Sequence, residues 1–264
     1  MRLKLFKCAV RQPSSRTDLC APVRWRAVFT KSAAFYDAVY AAKDYAAEAE
    51  RVDALIKTHA RTSAKTLLDV ACGTGGHLAY LKHHYVAEGL DLDPNLLAIA
   101  RERHPELPFH QTDMVQFDLG HTFHAVVCLF SAIGYVVTVE RLHSAIAAMA
   151  RHLQPGGVLL VEPWLPPDGY TTGTVHALYV DQPQLKIARI NVAAARDRVS
   201  LLDFHYLVGT PEGVEHFTER HELGLFTQNE YRHAAVAAGL QTTFDQHGLI
   251  GRGMLIGVRP LADS

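Results

Sequence analysis

Short apolar runs at 66–70, 86–90, 107–111, 124–130 and 158–161 alternate along the chain with stretches of helical period. Thr66-Leu67-Leu68 and FHAVVCLF (123–130) are too continuous for a sheet wetted on one side. They read as strands buried on both faces. Residues 46–60, AAEAERVDALIKTHA, place Ala49, Val52, Leu55 and Ile56 on one helical face, with Glu48, Glu50, Arg51 and Asp53 elsewhere. PNLLAIARER (94–103) has proline in its first turn and arginine near its end, both helix signals. A helix over 140–153 is expected to stop at Gln154-Pro155-Gly156-Gly157. This alternation predicts a doubly wound parallel sheet, with ligands beyond the carboxyl ends of the strands.

From about Thr174 the rhythm breaks. Residues 175–180, 185–193, 199–208 and 214–225 read as successive strands, with turns at Asp181-Gln182-Pro183 and Thr210-Pro211-Glu212-Gly213. An antiparallel insert at about 174–225 is therefore expected, over the substrate side of the sheet or at a dimer contact. A helix follows over 226–239, with Thr227 as cap, Glu230 three residues on and Gly239 as stop. Strands at 240–245 and 254–258 close the sheet.

The chemistry gathers at Leu67–Leu78, LLDVACGTGGHL, a strand that turns through small residues into a helix expected near Gly76–His77. Glycine there permits positive φ and close approach of a ligand, with backbone N–H groups and the helix start aimed at it. Asp91 ends the next strand, where a carboxylate can take both hydroxyls of a ribose. The dinucleotide fingerprint G-x-G-x-x-G fails, because Gly73-x-Gly75-x-x leads to Leu78. Asp69, four residues before Gly73, suits a ligand bearing a positive charge, such as an amino-acid ammonium, and would repel a diphosphate. A dehydrogenase is correspondingly disfavoured.

This stretch resembles the first motif, D-x-G-x-G-x-G, of the class I S-adenosylmethionine-dependent methyltransferases, with Ala71 at the first glycine, a small residue expected to fit at little cost. The resemblance implies a seven-stranded Rossmann-like sheet with a reversed final strand, and S-adenosylmethionine as cofactor. It makes Asp69, Ala71, Gly73, Asp91 and its neighbour Leu92 cofactor contacts. Asp113, which matches the acidic residue at the adenine amino group, and Met114, whose backbone meets a ring nitrogen, join them. Asp113 could equally cap the turn that follows. Phe130 at the fourth-strand exit completes the expected set with Tyr36 and Tyr45, which read as part of an N-terminal lid or else as core aromatics with their hydroxyls at the surface.

A closer resemblance runs over most of 35–260, through YDAVYAAKDYAAEAE, LLDVACGTGGHL, HQTDM, FSAIGYV, HLQPGG, EPW and the closing GRG. Together these look like the bacterial N,N-dimethyltransferases of nucleotide-diphosphate-linked amino-deoxysugars. The segment between Tyr40 and Lys43 is shorter than that family's. The implied reaction is methyl transfer to the amine of a small molecule, with a TDP-linked amino sugar as the most specific acceptor. An N- or O-methyltransferase of another metabolite is the alternative, and a cofactor-binding module without turnover is the non-enzyme one. The intact Asp69, Gly73, Gly75, Asp91 and Asp113 set argues against the last.

An amine needs only to arrive unprotonated, so positioning outweighs general-base strength, and no G-x-S-x-G elbow is present. Tyr40 is the candidate for orienting or deprotonating the amine, or else a structural phenol. Glu162 could accept a substrate N–H or hydroxyl, and Trp164 could form an apolar or cation-friendly wall. Both could instead simply pack. Arg252, between two glycines, is the candidate phosphate contact, or a solvated turn arginine.

Composition narrows the partners. A net charge of −1 over 264 residues gives no electrostatic case for nucleic acid. The balance is uneven, however. Residues 1–34 hold eight Lys/Arg and one Asp, a balance of +7, so the remainder, −1 less +7, carries −8. That basic stretch is expected to be a flexible extension, or alternatively a transit peptide, preceding a methyltransferase domain over 35–264. Cys8, Cys20, Cys72 and Cys128 form no C-x-x-C pair, which suits reduced thiols and a cytoplasmic location. The sixteen histidines are scattered without metal-ligand spacing, so no metal is expected. No apolar run reaches the roughly 18 residues of a membrane span.

Overall fold

The computed structural model describes residues 29–261. Most of the expected basic extension, residues 1–28, lies outside the described residues, with Cys8 and Cys20.

The chain begins with a 3-10 turn over Ser32–Phe35 and the short helix α1 (Tyr36–Val39), then α2 (Tyr45–His59). The central sheet follows the expected rhythm: β1 (Thr66–Val70), α3 (Leu78–Leu81), β2 (Val86–Asp91), α4 (Pro94–Arg103), β3 (Phe109–Gln111), β4 (Phe123–Cys128), α5 (Val139–Arg151) and β5 (Leu153–Val161). Four long strands follow: β6 (Val175–Gln182), β7 (Leu185–Arg196), β8 (Val199–Thr210) and β9 (Gly213–Gly224). Helix α6 (Gln228–Ala237) and strands β10 (Gln241–Asp245) and β11 (Met254–Val258) complete the fold.

The seven-stranded sheet has the order β10-β11-β5-β4-β1-β2-β3. Its strands run parallel except that β11 is antiparallel to both neighbours, the reversed final strand expected. Period-2 alternation explains the continuous apolar runs. Leu68, Val126 and Cys128 face α5 and α6, where they meet Ile146, Met149 and Tyr231. Leu67, Ala125 and Val127 face the other way, toward Val52 and Ile56 of α2 and Leu97 of α4. The helix starts are fixed by their own side chains. Asp93 Oδ1 accepts from Asn95 N ahead of Pro94, and Thr227 and Glu230 form a reciprocal capping box.

Pro155-Gly156-Gly157 departs from expectation. It does not merely stop α5; it lies inside β5, where the ladder with β4 shifts register. A Cβ on Gly157 would come within 2.8 Å of the His124 carbonyl, so only glycine lets the two strands approach there. The helix expected from Gly76–His77 begins one residue later, at Leu78, and lasts a single turn.

The insert is a separate four-stranded antiparallel sheet, β6-β7-β8-β9. Its inner face buries Val180, Ile187, Tyr206, Val208 and Phe217 against Val39 of α1, with Phe35 and Tyr40 packed alongside. It therefore roofs α1 and the turn before it. Its outer face leaves Val175, Tyr179, Ile190, Val192, Leu207 and Val214 exposed.

Candidate active site

β1 and β4 are neighbours whose crossovers leave in opposite directions, the point at which a doubly wound sheet opens a crevice. The turn leaving β1 is built on left-handed backbone, with φ of 59° at Ala71, 57° at Gly73 and 75° at Gly75. Ala71 at the first glycine position is thus strained, contrary to the expectation of little cost, because an L residue in this region crowds its own carbonyl. Cys72 N donates to the Leu90 carbonyl at 3.0 Å, tying the turn to β2.

Beyond this turn lies a cleft of about 250 Å³, lined among others by Ala71, Asp91, Leu92, Asp113, Met114 and Tyr135. A narrower hollow on the other side of Ala71 is lined by Tyr36, Tyr45, Asp69, Gly76, His77 and Phe130. Nine of the ten residues expected to hold the cofactor line these two recesses, which share Ala71, and the tenth, Gly73, belongs to the turn itself.

The acids in these recesses have distinct settings. Asp69 is 2% exposed, and its Oδ2 has no hydrogen-bond partner. Burial, then the neighbouring Asp91, push its pKa up to about 8. A buried orphan carboxylate oxygen facing a hollow fits a ligand ammonium. Asp91 accepts from Gly73 N and from Asp93 N, each at 2.8 Å. Burial raises its pKa to about 6 against those two donors. Asp113 caps the following turn through Val115 N at 3.1 Å and also pairs with Arg141 at 2.9 Å. Capping and a position on the cleft coexist.

Aromatic rings wall the space over the turn. Tyr36 and Tyr40 lie 4.8 Å apart between centroids, and Tyr40 meets Phe130 edge-on at 5.1 Å. Burial raises the pKa of both Tyr36 and Tyr135, keeping them as phenols. The Tyr40 hydroxyl is already an acceptor, taking a hydrogen bond from Arg189 Nη1 at 3.1 Å. Glu162 is fully buried. Its Oε2 accepts from Phe130 N at 2.6 Å and its Oε1 has no partner. Arg252 is no solvated turn residue: its Nη1 donates to Ser131 Oγ at 2.8 Å and its guanidinium covers Trp164 at 4.8 Å. Trp164 Nε1 in turn donates to Ser200 Oγ of the insert at 3.0 Å.

Several residues at this site carried no assignment from sequence. Phe29 lines the cleft and packs edge-on against Tyr36 and His221, although it belongs to the stretch expected to be a flexible extension. Glu219 holds that stretch down, accepting from Thr30 Oγ1, Lys31 N and Ser32 N. Lys43 sits 4.1 Å over the Phe130 ring and pairs with Glu48, which also bonds His77. Tyr135 Oη lies 2.7 Å from His221 Nδ1. Tyr135 and Lys43 fall inside quoted motifs, FSAIGYV and YDAVYAAKDYAAEAE. Phe29 and His221 gave no signal, since only the fold brings them together.

A methyltransferase-domain family model matches residues 67–157. The dTDP-3-amino-3,4,6-trideoxy-alpha-D-glucopyranose N,N-dimethyltransferase of Streptomyces venezuelae is 41% identical over 84% of this chain and 95% of its own length. The chain belongs to the S-adenosylmethionine-dependent sugar N-methyltransferases. Among solved members of this family, DesVI of Streptomyces venezuelae superposes with a TM-score of 0.82 at 40% identity, covering 87% of this chain and 99% of its own. S-adenosylmethionine-bound CalS10 of Micromonospora echinaspora, an amino pentose methyltransferase, gives a TM-score of 0.78 at 38% identity, covering 89% and 99%. Both matches extend through the insert as well as the cofactor sheet. No helix among the described residues is long and apolar enough to cross a membrane.

Proposed function

We propose that this sugar N-methyltransferase acts on the amine of a TDP-linked amino-deoxysugar, adding one or two methyl groups. The observation that carries this reading is the extent of the likeness. It spans the acceptor-side insert, where a methyltransferase of unrelated acceptor would diverge, and a relative at 41% identity is named for such a substrate. S-adenosylmethionine supplies the methyl group when bound.

The protein's own residues position the partners. Asp69 would meet the ammonium of the cofactor and Asp91 its ribose. Asp113, Met114 and Leu92 would line the adenine end, with Ala71 and Gly73 beneath. Tyr36, Tyr45 and Phe130 wall the space beyond the turn. Tyr40 and Tyr135 face the acceptor side. Tyr135, oriented by His221, is the phenol free to accept an amine N–H. Burial lowers the His221 pKa to about 4, so its imidazole stays neutral and passes no charge to the pair. Glu162, Trp164 and Arg252 brace the Phe130–Ser131 turn, and the Trp164–Arg252 stack borders the acceptor.

The insert's outer face supports a homodimer. Its exposed Val175, Tyr179, Ile190 and Val192 form an apolar patch across the paired strands β6 and β7, which suits a second copy better than a charged partner. Free, buried thiols at Cys72 and Cys128 suit the cytoplasm. The deciding experiment supplies S-adenosylmethionine with either a TDP-linked amino sugar or the free amino sugar and follows product mass. Gain of methyl mass only on the free sugar would sink the nucleotide-linked reading in favour of a simple metabolite acceptor.

A further inference from the structure

The wall of the cleft that carries Ala132, Tyr135 and Val136 is a 3-10 turn over Ala132–Val136. Both of its ends are strained. Among the described residues five non-glycines have positive φ, and three of them flank this turn: Phe130 at 52°, Ser131 at 58° and Val137 at 65°. Val137 has ψ of −40°, and Thr138 N donates to the Val136 carbonyl at 2.7 Å, which closes a γ-turn of the uncommon, strained hand. A β-branched side chain is poorly suited to such backbone. Val137 is half-buried, lies outside the buried core and lines neither recess. Its own packing therefore does not offset the strain.

Backbone of this kind persists only where its surroundings over-determine it. At the first end, Phe130 N donates to Glu162, and Ser131 Oγ donates to the Pro163 carbonyl at 2.7 Å while accepting from Arg252. Toward the second end the hold is steric and comes from β9, the last strand of the insert. A Cβ on Gly134 would come within 2.9 Å of Leu223 Cδ2 and 3.1 Å of Trp164 Cβ, and one on Gly224 within 2.7 Å of the Val137 carbonyl oxygen. Leu223, 5% exposed, is thus pressed against the backbone of the turn. Ser200 Oγ, which accepts from Trp164 Nε1, donates to the Leu223 carbonyl at 3.0 Å and secures the wedge from behind. Relaxing Val137 to negative φ would rotate the peptides on either side of it. That breaks the Thr138–Val136 bond and the bond from Val137 N to the Gly134 carbonyl at 3.1 Å, and it shifts Tyr135 and Val136 in the wall. The shape of the cleft therefore depends on a residue of the insert that does not line it.

We propose that Leu223 and Val137 are positioning residues for the cofactor: Leu223 wedges the strained turn in place, and Val137 is the spring that it holds. The seating of the insert then sets how firmly the cleft grips its ligand. The assignment rests on cofactor binding in this cleft, proposed above, and holds for any acceptor.

The test is a calorimetric titration of S-adenosylhomocysteine into the full chain and its variants, each with a thermal melt to certify the fold. Leu223→Ala is expected to weaken binding on the order of 10-fold, the loss that follows if the competent wall is populated about one-tenth of the time. Leu223→Met, close in volume, should recover most of that affinity. Val137→Gly added to Leu223→Ala should recover most of it too, because glycine holds a φ of 65° without a wedge. Removing a second side chain does not mend lost packing, so this rescue separates a positioning role from a structural one. Wild-type affinity in Leu223→Ala overturns the proposal, as does a double variant that binds no tighter than Leu223→Ala. Should Leu223→Ala fail to fold, the milder Leu223→Val, alone and with Val137→Gly, gives the same comparison. If Asp91→Ala, which alters the cleft directly, binds S-adenosylhomocysteine as tightly as the unaltered chain, the cleft does not hold the cofactor and this assignment falls with that reading.

Discussion

The backbone N–H of Gly73 donates to Asp91 Oδ2 at 2.8 Å, so the acid that ends β2 also fastens the turn that leaves β1. One carboxylate thus shapes the turn and lines the cleft, and the ribose contact proposed above would fall on the same group. Asp91→Ala is expected to weaken S-adenosylhomocysteine binding by about 1–3 kcal/mol and to lower the melting temperature, because Gly73 and Asp93 lose their acceptor. Calorimetry with a parallel melt checks this, and unchanged affinity would remove the ribose assignment.

Asp69 and Asp91 give the site a pH signature. Their folded pKa values, about 8 and about 6, lie above the unfolded carboxylate value of 3.8. The folded chain therefore keeps protons that the unfolded chain has released, and ligand-free stability falls as pH rises from about 4 to about 8. A ligand ammonium beside Asp69 favours its ionised form, so cofactor binding near neutral pH should release a proton. Binding enthalpies at pH 7 in buffers of different ionisation enthalpy measure that release. It should be absent in Asp69→Asn, and equal enthalpies in all buffers for the wild type would refute the ammonium contact.

Ala71, at φ 59°, offers a gain in stability. Ala71→Gly relieves a left-handed strain of about 1–2 kcal/mol at some cost in unfolded-chain entropy, for a net gain of roughly 0.5–1 kcal/mol. A rise of about 1–4 °C in melting temperature follows for a chain of this size. No rise, or a fall, would mean that the Cβ packs usefully in the turn.

Glu219 is expected to act on the cofactor from a distance. Burial opposes its charge, but donors from Ser32, Lys31 and Thr30 hold its pKa below the usual carboxylate value. Its stabilising contribution is present at neutral pH and disappears as acidification protonates it, below the ordinary carboxylate range. Glu219→Ala should free residues 29–32, remove Phe29 from the cleft wall and speed S-adenosylhomocysteine dissociation by roughly 10-fold, equivalent to about 1.4 kcal/mol. Stopped-flow displacement measures this; an unaltered off-rate would show that Phe29 does not close the cleft.

The sheet was legible because its strands are buried on both faces and its helices carry their own caps, as at Asp93 and Thr227. The placing of the candidate cofactor residues around one turn was legible because Asp69, Gly73 and Asp91 sit at fixed offsets from strand ends, where local chain geometry suffices. The acceptor side was less so. Arg252 read as a phosphate contact from its flanking glycines, yet its hydrogen bond to Ser131 and stacking on Trp164 come from three separate segments. Tyr40 lies among the aromatic rings over the turn, but its partner Arg189 lies 149 residues away. Arg189 and Asn191 did leave a trace, as polar residues alternating with Ile190 and Val192. Only the sheet's orientation reveals that the polar row is the covered one. Gly156-Gly157 reads as a helix stop because close strand approach leaves no mark that distinguishes it from a turn.

The clasp between Ser32 and Glu219 spans 187 residues of sequence. During synthesis the N-terminal segment emerges long before its anchor on β9, and closing so long a loop carries an entropic delay. The sheet from β1 to β5 can therefore assemble around a cleft that is still open on the ribosome. The clasp that draws Phe29 to the cleft is thus among the last contacts a new chain can make, completed only once the last strand of the roof has been synthesised.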